Sequence, residues 1–347
     1  MIVAADIGGT KTSVALLQAP RDAAEANKTS VLLQRERYHS AQHAGLTEIV
    51  RDFLHKHQIA PSKVRRVCAG IAGPVVEGHV ETPNLPWSVD SGEMRKELGV
   101  GAVTLMNDLE ATAERAATLG PKDVFTLNAG KQPAGPLTNG AVIAAGTGLG
   151  MAILHPIDGA WWPVASEGGH MDLAPRNELE QDLLRFLLRR HRRVSVERVL
   201  SGPGLFALYE FFESRGTPTP NPEVRAQLLA NDAEAPRIVA EAALAGRCPV
   251  ASEALNLFVS QYGAAAGNLA LLSVSTGGMF VGGGIAPKIL PRLREGLFME
   301  AFTSKGRLSP LLENMPVQVI LDEDAALLGA ARRGVRLELG LVREGAR

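Results

Sequence analysis

Three observations predict a two-domain α/β fold for this chain. Its 347 residues exceed what one hydrophobic core comfortably serves. Short apolar runs alternate with segments of helical period, the pattern of sheets covered by helices. One unit also occurs twice, at residues 2–17 and 142–154: an apolar strand, a glycine turn carrying a threonine, and a second apolar strand. No exact internal repeat accompanies it, yet two such units, one per domain, suit a duplicated α/β fold.

Composition narrows the class. A hydrophobic content of 46% is that of a folded globular protein. Lys+Arg of 36 against Asp+Glu of 37 leaves a formal charge of -1 with no basic block, so nucleic acid is not an expected partner. The cluster Arg189-Arg190-His191-Arg192-Arg193 closes a helical pattern and reads as a charged helix end. Cys68 and Cys248 lie far apart without a CxxC neighbour, and read as buried or incidental thiols rather than a zinc site or disulfide. The chain opens directly on a strand, leaving no room for a signal peptide, and no apolar stretch approaches membrane-spanning length. A soluble cytoplasmic protein is the expectation.

The elements follow in order. Residues 2–5 and 14–17 form two strands joined by a glycine turn, and residues 18–30 are a polar turn. Residues 31–38 make a third strand. Residues 46–56 are a helix, because Leu46, Ile49, Val50 and Phe53 share one face. A strand at 64–72, an exposed hairpin at 75–82, a helix at 87–98 starting near Ser88, and a strand at 103–106 complete a first mixed-sheet domain. The alanine-rich helical pattern 109–117 bridges to the second, and residues 128–140 are a Pro/Gly-rich loop. After the strands 142–145 and 151–154, residues 177–192, 196–213, 238–245 and 252–272 are helical. In the last of these Ala264, Ala265, Ala266 and Gly267 permit close backbone packing. Residues 279–281 and 317–321 are strands, a helix starts at Lys288, another covers 325–332, and a charged tail closes the chain.

Three glycine turns follow strands, and the first lies beside Asp6. The turn Gly8-Gly9-Thr10 exposes backbone N–H groups suited to an anion such as phosphate, and Asp6 is placed to hold a metal ion or its water shell. An ordinary hairpin explains the same residues equally well. Gly146-Thr147-Gly148-Leu149-Gly150 repeats the design, and neither it nor the first turn supplies a dinucleotide fingerprint or a Walker A loop. Two such hairpins facing one another can clamp a polyphosphate between domains. Gly282-Gly283-Gly284, before Pro287, allows a flat base or ribose to approach the backbone.

Asn107-Asp108 ends a strand, where α/β proteins place ligands; Asp108 can accept the proton of an attacking hydroxyl while Asn107 orients it. A helix follows directly, so an Asx turn and N-cap is the plainer local account. Ser166-Glu167-Gly168-Gly169-His170 offers too few ligands for zinc, but can hydrogen-bond a polyol; a core histidine beside a surface Glu explains it as well. Glu197 reads locally as an ordinary helical acid. Trp87, Trp161 and Trp162 read as core or interface residues rather than sugar platforms.

Taken together, DIGGT at 6–10, NLPW at 84–87, ND at 107–108, AAGTGLG at 144–150, SEGGHMDLAP at 166–175, SVERVLSGPGL at 195–205 and GGG at 282–284 resemble the bacterial glucokinase family. That family belongs to the actin-like, hexokinase-like and Hsp70-like ATPase superfamily. The likeness runs in order from about residue 1 to residue 333. DIGGT alone is shared with many sugar kinases and sugar-responsive repressors; ND, SEGGH and SVERVLSGPG together are far more specific.

The resemblance implies a two-domain actin-like ATPase (ribonuclease H-like) fold with a closing interdomain cleft. A smaller domain of residues 1–110 would be completed by about 322–340, and a larger one would span 111–321. It implies ATP-dependent phosphorylation of the 6-hydroxyl of D-glucose, with Asp108 as general base and Asn107, Glu167, His170 and Glu197 on the sugar hydroxyls. Gly8, Gly9, Thr10, Gly146, Thr147 and Gly148 would hold the ATP phosphates, Gly282, Gly283 and Gly284 the adenosine side, and Asp6 would sit near Mg²⁺. A homodimer is also implied. Relatives in the repressor and kinase group often carry a cysteine-rich zinc motif beside the sugar-binding His; with two cysteines, neither near His170, no structural zinc is expected here. No helix-turn-helix segment precedes the first strand, which argues against the repressor branch. Ala165-Ser166 stands where some relatives have Gly before the Glu, which alters loop flexibility. The alternatives are a kinase for another hexose, an N-acetylated sugar or an acid, and a nonenzymatic sugar sensor on the same fold. A dehydrogenase fits poorly for want of the dinucleotide fingerprint.

Overall fold

The computed structural model describes residues 1–19, 31–82, 85–131 and 135–342. Asn84 of the NLPW motif and most of the polar turn 18–30 lie outside the described residues. In chain order, the first strands are β1 (Ile2–Ile7), β2 (Lys11–Gln18) and β3 (Val31–His39), followed by α1 (Leu46–Lys56). Then come β4 (Arg66–Ile71), β5 (His79–Glu81), β6 (Ser88–Asp90), α2 (Ser91–Leu98), β7 (Ala102–Asn107) and α3 (Asp108–Ala116). The next strands are β8 (Val124–Asn128), β9 (Gly140–Ala145), β10 (Leu149–Ile157) and β11 (Ala160–Ser166). Helices α4 (Glu178–Leu188), α5 (Gly202–Ser214), α6 (Pro222–Ala230), α7 (Ala235–Leu244) and α8 (Pro249–Ser273) lead to β12 (Gly278–Gly282). Last are α9 (Leu290–Leu293), α10 (Leu297–Thr303), α11 (Ser309–Glu313), β13 (Val317–Ile320) and α12 (Ala325–Glu338).

The chain divides into two compact units, one of residues 1–120, 160–165 and 322–347, the other of 121–159 and 166–321. In the first, strands run β3–β2–β1–β4–β7. The β1–β2 and β2–β3 pairs are antiparallel, while β1–β4 and β4–β7 are parallel. Alternate residues of β1 serve two cores: Val3, Ala5 and Ile7 pack with α1 and α2, and Ala4 with Leu327, Ala330 and Ala331 of α12. Burial on both faces is why these strands read as continuous apolar runs.

Helix α3, expected with the second domain from residue 111 onward, groups with the first unit. It is held there by α12. A Cβ at Gly329 would come 1.7 Å from the Ala111 carbonyl oxygen, so only glycine lets the two backbones meet. Fully buried Glu114 accepts from Arg332 (2.6 Å), Arg333 (2.6 Å) and Arg336 (3.0 Å). Burial alone would raise its carboxyl, but the guanidiniums of Arg333, Arg336 and Arg332 outweigh it and hold it below the usual carboxylate range. Arg333 and Arg336 also lie over the Trp162 ring, at 5.0 and 5.4 Å from its centroid.

The second unit repeats the scheme. Its strands run β10–β9–β12–β13–β8, with an antiparallel β9–β10 hairpin and parallel β9–β12 and β12–β13 pairs. β8 adds an antiparallel edge. Its core is dominated by α5, α7 and α8. A Cβ at Gly263 or Gly267 would come 2.0 or 2.4 Å from the carbonyl oxygens of Phe298 or Phe302, so α8 admits α10 at backbone contact.

Several expected elements differ. Ser88 starts no helix: it belongs to β6, which pairs with β5, and α2 begins after Asp90, whose carboxylate caps the Glu93 N–H at 2.8 Å. The hairpin at 75–82 is correspondingly reduced to a Val76–His79 bridge. The helical pattern 196–213 breaks at Ser201, which caps α5, and leaves Val196–Arg198 as a 3₁₀ turn. The helix expected at Lys288 is only the short α9. Strands β8 and β11 and helices α6, α10 and α11 were not anticipated; β11 contains Pro163, which lowers its strand pattern, whereas α6 opens on an Asn221 cap followed by Pro222. Both cysteines are buried free thiols, and burial pushes Cys68 up to about 12. Among the described residues no helix is long and apolar enough to cross a membrane.

Candidate active site

In the first unit the candidate residues lie at the carboxyl ends of β1 and β7, the strands that flank β4. The β1–β2 turn closes with the Gly8 N–H on the Lys11 carbonyl at 3.0 Å, leaving Gly8, Gly9 and Thr10 exposed. Buried Ser40 braces this turn. Its N–H donates to the Thr10 carbonyl (3.1 Å), its hydroxyl donates to the Gly8 carbonyl (2.8 Å), and its Oγ lies 3.0 Å from Thr12 Oγ1. Nothing in the sequence around Ser40 signals that role.

Asn107 caps α3: its Oδ1 accepts from the N–H groups of Leu109 (2.9 Å) and Glu110 (3.4 Å), and its Nδ2 donates to Gly73 O (3.1 Å). The plainer account of Asn107 therefore holds, and the cap fixes Asp108 as the first helical residue. Gly70, the Asp6 partner on β4, would bring a Cβ to 3.1 Å from the Ala111 Cβ, so a bare glycine lets α3 pack closely over the strand. Asp108 Oδ1 accepts from the Leu109 N–H at 2.8 Å.

Asp6 stands in the field of two further carboxylates. Burial, then Asp108, then Asp324 push its carboxyl from the ordinary 3.8 up to about 7. Asp324, missed from the sequence, pairs with Arg35 and with Arg37 at 3.5 Å. Its N–H donates to Asp322 at 3.0 Å, and Asp322 in turn accepts from Arg115 of α3 at 2.9 Å. An all-oxygen set of mutually repelling carboxylates is the donor chemistry that suits Mg²⁺. Asp6, Asp108 and Asp324 offer that chemistry, although their ligand atoms do not gather within 4.8 Å of one another.

In the second unit, Glu167, His170 and Glu197 come together on the second glycine turn. That turn closes with Gly146 N–H on Gly148 O at 2.8 Å, and Gly202 N–H donates to Gly146 O at 2.8 Å. Glu197 Oε2 accepts from the Leu149 N–H at 2.9 Å, and a Cβ at Gly148 would lie 2.6 Å from that oxygen. His170 Nδ1 is 4.0 Å from Glu197 Oε1, and its Nε2 is 3.9 Å from Glu167 Oε2. All three side chains reach solvent, at 65%, 55% and 29% exposure for Glu167, His170 and Glu197, so a solute can touch them. The loop is seated by its glycines: a Cβ at Gly169 would meet Leu149 O at 2.0 Å. Ser201 accepts from Gly204 N–H (3.1 Å) and donates to Glu197 O (2.8 Å), tying the SVERVLSGPG stretch to the α5 start. Glu197 is thus a turn residue over a glycine hairpin, not the ordinary helical acid that its local pattern suggests.

The third glycine run is held beside the second. The buried Tyr262 hydroxyl donates to Gly282 O (3.0 Å) and accepts from Ala145 N–H (3.1 Å). Gly283, at φ +82°, would bring a Cβ to 2.3 Å from Ala145 O, whereas Gly284 has open space. Gly283 is therefore required by chain packing, and Gly284 alone offers an unobstructed backbone.

Comparison with known proteins gives this geometry a family. The model of the Glucokinase family matches residues 3–336. The chain belongs to the glucokinase family. Its members include the glucokinase of Nostoc sp. (strain PCC 7120), 40% identical over 97% of this chain and 99% of that protein. The glucokinase of Synechocystis sp. (strain PCC 6803) is 37% identical over 95% and 96%. Among solved structures, a glucokinase from an Antarctic psychrotroph is 32% identical, with a TM-score of 0.79 over 96% of this chain and 98% of that one. A ROK family glucokinase from Streptomyces griseus, solved with glucose and AMPPNP, shares the fold at 22% identity and a TM-score of 0.61, over 95% and 97%. The family member described here is an ATP-dependent hexose kinase with the actin-like fold.

Proposed function

We propose that this chain transfers the γ-phosphoryl group of ATP to the 6-hydroxyl of D-glucose, with Asp108 as general base. The observation that carries the reading is the meeting of Glu167, His170 and Glu197 on the Gly146–Gly148 turn. Two carboxylates and an imidazole beside a glycine turn support a reading in which acceptor and donor subsites adjoin.

The chemistry follows from these groups. Glu197 and Glu167 accept hydrogen bonds from sugar hydroxyls, and His170 adds a ring nitrogen. A site built to pair each hydroxyl rejects an analogue lacking one. Asp108, set at the head of α3 by the Asn107 cap, takes the 6-hydroxyl proton as that oxygen attacks the γ-phosphorus in line. The Gly8 and Gly146 N–H groups close their turns, and the backbone N–H groups of Gly9, Thr10, Thr147 and Gly148 stabilise charge on the transferring group. The open backbone at Gly284 receives the adenosine side, with Gly282 and Gly283 shaping the bend. Mg²⁺ at Asp6, held directly or through water, supplies neutralising charge to the ATP phosphates when bound. The chain works as a homodimer in the cytoplasm, a reading supported by the family resemblance alone.

ATP-dependent phosphorylation of a panel of glucose, mannose, fructose, N-acetylated hexoses and acetate, followed by coupled ADP release, tests this function. Turnover concentrated on glucose is the expected result. A preference for another acceptor, or sugar binding without phosphoryl transfer, would replace the proposal by its alternatives.

A further inference from the structure

Three side chains away from the proposed active site form a second ligand constellation. His43 follows a single 3₁₀ turn (Ser40–Gln42), and Glu48 and Asp52 sit four residues apart on one face of α1. His43 Nδ1 is 3.9 Å from Glu48 Oε1 and 3.9 Å from Asp52 Oδ2. One ligand atom from each of the three residues falls within 4.8 Å of the others, the one such group of His, Cys, Asp and Glu among the described residues.

Two buried polar atoms there lack partners. His43 Nδ1 is shut off from solvent and makes no hydrogen bond, and the Tyr38 hydroxyl beside it is in the same state. The Tyr38 and His43 rings meet edge-on at 5.5 Å. A buried unpaired nitrogen is costly, and two carboxylates one helical turn apart repel.

The surrounding backbone is already fixed. The His43 carbonyl accepts from Trp87 Nε1 (3.2 Å), its N–H donates to Ser40 O (3.2 Å), and Glu48 Oε2 accepts from Ala44 N–H (2.6 Å). That leaves Glu48 Oε1 and His43 Nδ1 turned toward one another, too far apart for a hydrogen bond. The separation suits an ion instead: metal–ligand bonds of about 2.0–2.2 Å place tetrahedral ligand atoms roughly 3.4 Å apart, within side-chain adjustment of 3.9 Å.

We propose that His43, Glu48 and Asp52 bind one divalent transition-metal ion, zinc being the best match to an imidazole nitrogen with two carboxylates. Water completes its coordination. The ion braces the Ser40–His43 turn, and through Ser40 the Gly8–Thr10 turn. The site has no cysteine and is separate from the cysteine-rich motif that relatives carry beside the sugar-binding histidine. A zinc here would amend the expectation of a zinc-free chain.

Calorimetric titration of the metal-depleted full chain with zinc chloride, without nucleotide, tests the site. The expected result is one equivalent bound and a zinc-dependent rise in Tm. Affinity should fall by roughly tenfold or more in His43→Gln and in Asp52→Asn, and should persist in Asp6→Asn. Circular dichroism checks that each variant is folded. Anomalous scattering at the zinc edge from crystals of the parent chain locates the ion without any variant. Absence of binding, binding that survives both substitutions, or zinc found away from His43 Nδ1 would overturn the assignment.

Discussion

The two glycine hairpins share a sequence design and differ in what surrounds them. At Gly8–Thr10 the turn is braced by Ser40 and backed by the carboxylates of Asp6, Asp108 and Asp324. At Gly146–Gly148 a carboxylate lies directly on the turn, with Glu197 on the Leu149 N–H and His170 and Glu167 next to it. The same strand–turn–strand thus supports two chemistries. One turn is backed by clustered aspartates, the other carries a Glu–His–Glu group, and the difference lies in the segments that return to each turn.

Removing the proposed base should separate the two edges most sharply. Asp108→Ala is expected to lower kcat by on the order of 10²–10⁴-fold while glucose binding stays measurable by calorimetry. Near-normal turnover in a coupled assay would remove Asp108 from its role.

Asp6→Asn tests the acidic edge by stability. The Asp6 carboxyl is raised from 3.8 to about 7, so the folded state holds its proton more tightly than the unfolded state does. The parent chain therefore loses stability as pH rises from about 4 to about 7, at up to roughly 1.4 kcal/mol per pH unit. Asn carries no charge, so the variant should be more stable than the parent at pH 8 by a few kcal/mol (a rough figure) and equal to it near pH 4. Denaturant melts without Mg²⁺ at both pH values measure this; a pH-independent difference would contradict the carboxylate crowding.

On the other edge, Gly148→Ala should displace the Glu197 carboxylate, because its Cβ would lie 2.6 Å from Oε2. The clash is with the end of a flexible side chain, so Tm should change little while KM for glucose rises. Gly169→Ala differs, since its Cβ would meet a backbone oxygen at 2.0 Å, and about 1–3 kcal/mol of stability should be lost as well. Glu197→Gln, which keeps the shape and loses the charge, should weaken glucose binding by about tenfold; an unchanged affinity would take Glu197 out of the sugar shell. The smallest catalytic effect is expected for Cys68→Ser, which buries an added hydroxyl on β4 at a cost of roughly 1–3 kcal/mol and should leave kcat near that of the parent.

Much of this was legible in the chain. The strand–glycine–strand units, the α1 and α8 patterns and the Asn107-Asp108 strand end all rest on local periodicity and turn chemistry, which short segments express by themselves. Helix boundaries were less legible. Asp90 outcompeted Ser88 as a cap because β5 supplied a strand partner for residues 88–90. Likewise Ser201 broke the 196–213 pattern by capping α5.

By itself, then, the sequence determined a duplicated α/β chain with two glycine hairpins and an acidic strand end, since hydrophobic period and turn residues act over a few positions. Only the tertiary structure decided that Ser40 braces the first turn, that Asp324 joins Asp6 and Asp108, and that Glu197 lies on the second turn. Each of these pairings spans tens to hundreds of residues. Such contacts are set by which backbones can approach, as Gly329 on Ala111 and Gly169 on Leu149 show, and no local pattern encodes the partner.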